Sequence, residues 1–168
     1  MTGVSELDSM LSRMSEAADR DEHQRLMEKL APLAVRYIER ISERFDDSQF
    51  AKFDVIWALI GSRCARSTEL FCRAIKDSDQ SVRWAAAIGL SKCKNAAATQ
   101  CLVEALKDRS TSVKAEAVSA MKHLAPPSAY AQLDRIASSK HLQTNYPGIV
   151  RDANLAMAAI HERNPQPR

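Results

Sequence analysis

His161 and Glu162 stand side by side near the end of the chain, a pairing able to ligate a metal when several copies converge. Only one such pair occurs, and the other histidines, His23, His123 and His141, lie far from it in sequence. Cys64, Cys72, Cys93 and Cys101 form no C-x-x-C, the spacing of a zinc knuckle or a redox pair. The opening "MTGVSELDSM" is polar and acidic, so no secretory or transit leader is expected. The four cysteines are therefore expected to be reduced, mostly buried thiols of a cytoplasmic protein. The glycines at 3, 61, 89 and 148 make no phosphate-cradling loop, and no G-x-S-x-G occurs. The expectation is a non-enzyme, with no catalytic residue, no metal and no cofactor.

What the chain must position is then a surface, and helices do the positioning. Only 4 glycines and 6 prolines interrupt a sequence rich in Ala, Leu, Met, Glu, Lys and Arg. No apolar run approaches the roughly 18 residues that a membrane span needs. Val4, Leu7, Leu11, Met14 and Ala18 recur at helical spacing, with Ser5 as a plausible N-cap, predicting a helix over 5–18. A second, short helix follows Asp21 and is expected to stop near Pro32. A third is expected over about 32–45 and a fourth over about 49–63, where Phe53, Ile56, Trp57 and Ile60 form an apolar face.

From residue 67 the chain repeats itself. "KDSDQSVRWAAAIGL" at 76–90 returns as "KDRSTSVKAEAVSAM" at 107–121. Asp77 precedes Arg83 by six residues, Asp108 precedes Lys114 by six, and Asn145 precedes Arg151 by six. Val82, Val113 and Val150 stand just before each basic residue. Small residues follow where helices must approach: Ala86 and Gly89, Ala117 and Ala120, Ala153 and Ala156. Helix-pair units are predicted over about 67–93, 96–124 and 127–163, the last carrying an insertion, "SKHLQTNYPG". Such units cannot bury their apolar faces alone and must stack.

This pattern resembles the HEAT-like repeat, in particular the short form of phycobilisome-lyase-type proteins; it covers 67–163 well and 33–63 weakly. The resemblance implies an all-α fold: a short right-handed α-solenoid of about four helix pairs with N-terminal capping helices. A single domain is expected, with caps over 1–31, repeats over 32–163 and a disordered tail at 164–168. The resemblance also implies that Asp77, Arg83, Asp108, Lys114 and Arg151 form a structural ladder between stacked repeats.

Function is expected to be non-catalytic protein binding through the concave face of the array. Trp84 falls roughly 200° round its helix from the core residue Val82, and Ala115 and Asp152 hold its place in later units. Trp84, Ile88, Val118 and Leu155 would make an apolar streak with an aromatic anchor, unless other helices cover Trp84. Trp57 is expected to be core. Residues 1–60 carry 8 Lys/Arg and 12 Asp/Glu, net −4, against 16 and 9, net +7, in 61–168. Arg63, Arg66, Lys92, Lys94, Lys122 and His123 fall at helix ends, where they complement the macrodipole or form a basic edge for an acidic protein. Nucleic acid is the weaker alternative, given the modest net charge and few aromatics. A bilin-handling protein is suggested by the repeat resemblance alone.

Overall fold

In a computed structural model, residues 3–16, 20–36, 38–46, 52–62 and 67–165 are described, and helices are the only regular structure among them. The sequence suggests one domain, but the chain divides into two compact units, Met1–Cys93 and Lys94–Arg168.

The first unit contains α1 (Gly3–Glu16), α2 (Arg20–Arg36), α3 (Ile38–Arg44), α4 (Lys52–Ser62), α5 (Thr68–Ala74) and α6 (Gln80–Cys93). α2 packs on α4 and α4 on α6, while α5 lies against α6 and α1 against α2. Leu11, Leu30, Ile56, Leu59, Phe71 and Leu90 fill the core. Pro32 does not end a helix as expected; α2 runs through it to Arg36. The proline is on an exposed turn, where water can replace the amide it lacks, so the break is tolerated.

At Gly89, α6 comes close to α5. A Cβ there would lie 2.6 Å from Cζ and 2.7 Å from both Cε atoms of Phe71, whose ring is fully buried. The small residue read from the sequence as a contact point between helices is therefore a seat for one ring.

The second unit contains α7 (Ala96–Ala105), α8 (Thr111–Leu124), a 3-10 turn at Pro127–Ala129, α9 (Tyr130–Ala137), α10 (Lys140–Asn145) and α11 (Pro147–Arg163). α8, α9 and α10 all pack on α11, and α7 packs on α8. Leu102, Met121, Leu133, Ala153, Ala156 and Ile160 are buried between them. Arg163 Nη1 donates to the carbonyls of His123 (2.7 Å) and Leu124 (3.4 Å), satisfying the end of α8. In the expected tail, Asn164 Nδ2 donates to the Ile160 carbonyl at 3.1 Å, while 166–168 lie outside the described residues.

Both α6 and α8 are followed by a non-glycine residue in the left-handed region, Lys94 with φ 47° and Ala125 with φ 45°. These positions are 31 residues apart, so the repeat includes its helix stop. The reduced-thiol expectation fails at two positions: Cys72 and Cys101 are disulfide-bonded, whereas Cys93 is a free thiol. Cys64 lies outside the described residues.

Candidate interaction surface

The repeated aspartate acts first on its own turn. Asp77 Oδ1 accepts from the Asp79 amide at 2.9 Å, and Asp108 Oδ1 accepts from the Ser110 amide at 2.7 Å. Each is a carboxylate bonding the backbone two residues on, which fixes the tight link between paired helices. Arg83 is buried at 4% exposure, and its Nη1 donates to the carbonyls of Asp77 and Ser78, both at 2.9 Å. The spacing of six thus places the guanidinium over the loop that precedes its own helix.

Asp77 also accepts from Lys52 Nζ at 2.8 Å. Burial pushes the Asp77 carboxyl up, but the bonds from Lys52, the Asp79 amide and Ser78 outweigh it and hold the group below its usual value.

Arg151 does not act as a ladder residue. Its side chain is 76% exposed and approaches its neighbour Asp152, Nε to Oδ1 at 3.5 Å. The insertion explains the change: it folds as α10, so Asn145 ends a helix, donating to the His141 carbonyl at 3.0 Å, instead of occupying a tight turn. Lys114 is half-buried and turns toward a pocket of the second unit.

In the first unit an aromatic stack lies on the α4/α6 face. Phe53 and Trp57, one turn apart on α4, stack at 5.4 Å between ring centroids. Trp57 in turn stacks on Trp84 of α6 at 5.7 Å and 26°. All three rings are half-buried, so Trp57 is not the core residue expected. Trp84 rests on it with one face and keeps part of its surface open. Ile88, one turn along α6, is half-buried beside that register.

In the second unit the streak fails at Val118, which is fully buried, while Leu155 is 53% exposed. Val118 stands 31 residues after Ala87, not after Ile88, and Ala87 is equally buried. Leu155 occupies the same register on α11, and no described helix follows α11 to cover it.

The basic edge is also thinner than the sequence suggested. Arg63 and Arg66 lie outside the described residues. Lys92, Lys94 and His123 are exposed. Lys122, however, donates to Asp152 Oδ2 at 2.8 Å, with side chains only 27% and 24% exposed. That bond is the main reason the Asp152 carboxyl lies below its usual value, opposed by burial and aided by the charge of Lys122 and by Arg151. A depressed carboxyl stabilises the fold fully above the unfolded pKa, near 3.9, and loses that contribution as pH falls through the folded value. Asp152→Asn is therefore expected to cost about 1 kcal/mol at pH 7. In thermal melts the gap from the parent should narrow as pH falls below the unfolded value; a gap independent of pH would show that the pair carries none of the linkage.

Two further features carry no sequence signal because they combine distant residues. An open cleft of about 690 Å³ in the first unit is lined by Glu39, Glu43, Asp46 and Glu69, with Arg73 paired to Asp46. Tyr130 and His161 lie at 5.8 Å beside a smaller hollow, with His161 and Glu162 both exposed at the end of α11. Among the described residues no group of three or more His, Cys, Asp or Glu could hold a metal ion. None of the described helices is long and apolar enough to cross a membrane.

Helix pairs linked by aspartate turns, with interior residues repeating at 31 and a partly open aromatic face, define an all-α helical-repeat protein. The model of one family, HEAT repeats, matches residues 38–122 and 68–158, and the chain belongs to that family. The match is to HEAT repeats in general and does not distinguish the phycobilisome-lyase-type form. No curated protein matches the chain.

Proposed function

We propose that the chain is a non-catalytic protein-binding module whose partner seats on the α4/α6 face of its first unit, with Trp84 as the anchor. The observation that carries this reading is the Phe53–Trp57–Trp84 stack, three large rings that pack on one another and stay half-buried. Ala115 and Asp152 occupy the Trp84 position of the later units, so stacking alone does not require an aromatic there. Flat, rigid, partly exposed aromatics are the side chains that most often carry the energy of protein interfaces. HEAT repeats commonly serve as protein-binding scaffolds, which fits the same reading.

Trp84→Ala tests it. Partners captured from the native host with the parent chain are expected to bind the variant about tenfold more weakly or worse. Stability should fall by only about 1 kcal/mol, the worth of one aromatic contact at a half-open site. Unchanged capture by a folded variant would remove the aromatic face from consideration. With Lys122 paired to Asp152, the exposed basic residues of the edge among those described are Lys92, Lys94 and His123.

A further inference from the structure

The pocket of the second unit toward which Lys114 turns has a volume of about 430 Å³. Its floor is apolar: Leu106, Ile136 and Leu142 are all buried. Its rim carries Lys107, Lys114 and Arg135, and its lining contains no carboxylate. Lys107 is paired with Glu104 at 2.9 Å. Lys114 and Arg135 have no side-chain hydrogen bond or ion pair among the described residues. Two cations without a partner among the described residues thus stand beside an apolar floor of which only small patches reach solvent.

The arrangement of the two chemistries selects the ligand. A compact inorganic anion is best held by cations converging at depth, and here the depth is hydrocarbon. A ligand matching the pocket has an apolar centre with negative charges to either side of it. We propose that this pocket docks an acidic peptide segment, with one aliphatic side chain on Leu106, Ile136 and Leu142 and flanking carboxylates on Lys114 and Arg135. A volume of this size takes one such side chain and its neighbours. Bidentate pairing of a carboxylate with Arg135 supplies orientation, and Lys114 acts as a point charge. The site belongs to the second unit and stands independently of the aromatic face of the first.

The test uses the full chain and an immobilised peptide of sequence Glu-Glu-Asp-Leu-Glu-Glu, read by biolayer interferometry. Saturable binding is expected, weakening as salt rises because the charges sit at the rim. Lys114→Glu with Arg135→Glu should weaken it at least tenfold, and so should the milder Lys114→Met with Arg135→Met if charge reversal disturbs folding. A peptide with serine in place of leucine should bind several-fold more weakly, since the floor then gains nothing. Trp84→Ala should leave peptide affinity unchanged, which separates this site from the aromatic one. The proposal is overturned if both double variants bind as the parent does, or if the serine peptide binds equally well. It is equally overturned if a single-stranded oligonucleotide of matched charge binds the same pocket more tightly than the peptide.

Discussion

Gly89→Ala is expected to destabilise the first unit by about 1–3 kcal/mol, the usual cost of forcing an extra carbon into a packed core. The sign is the informative part. In an exposed helix the same change stabilises by about 1 kcal/mol, because alanine is the better helix former. Here the added Cβ would meet three ring atoms of Phe71 at 2.6–2.7 Å, and the ring is 2% exposed. Neither side of that contact is the free end of a flexible chain, so α5 and α6 must separate. Urea unfolding followed by circular dichroism should show a lowered midpoint. Phe71→Leu in the same chain should recover part of the loss, and the double-mutant cycle gives the coupling directly. A raised midpoint for the single variant would contradict the close packing of Phe71 on this glycine.

The second large effect is expected at Arg83. Arg83→Met should cost about 2–4 kcal/mol, since it strips a buried charged donor from two loop carbonyls. Those are the carbonyls of Asp77 and Ser78, each held at 2.9 Å by a guanidinium that is 4% exposed. Methionine fills the volume of the stem, so the loss reads the hydrogen bonds more than the packing. Arg83→Lys should recover only part, because an ammonium presents its donors from a point and not from a planar fork. Hydrogen exchange at the amides of Asp79 and Ser81, which bond to Asp77 and Asp79 side chains, should accelerate in the methionine variant. A variant as stable as the parent, with those amides equally protected, would reduce Arg83 to a space-filler.

Local pattern carried much of this fold into view. The helix-turn-helix units, the aspartate turns and the alanine-lined contacts all depend on residues within a few positions of one another, and periodicity reports such features well. The helix across Pro32 was not legible, because tolerance of a proline depends on which side of the helix faces water. Val118 shows a different limit. It shares a register with Leu155, yet one is buried and the other 53% exposed, because α11 packs on α8 while no described helix follows α11. An apolar residue at a given phase takes its fate from neighbours that the wheel does not contain.

The site residues divided along the same line. That Trp84 lies away from the innermost core could be read from its phase. That Trp57 is its stacking partner could not, since 27 residues separate them and only the packing of α4 on α6 brings them together. Lys122 looked like a free cation until Asp152, 30 residues on, met it. The pocket with Lys114 and Arg135 arises from three helices and a loop, so no single window of sequence displays it.

The stacked tryptophans have a spectroscopic consequence. Both tryptophans of the chain lie in Met1–Cys93, and the second unit has only Tyr130 and Tyr146 besides its histidines. Indole emission, excited at the red edge where tyrosine is transparent, therefore witnesses the first unit alone. Two indoles 5.7 Å apart also couple their transitions, which gives the folded first unit a signature lost when the rings part. Backbone ellipticity counts helices in both units. Denaturation curves from the two signals superimpose if the units melt together and diverge if they do not, so the protein carries its own label for asking whether its halves are one cooperative body.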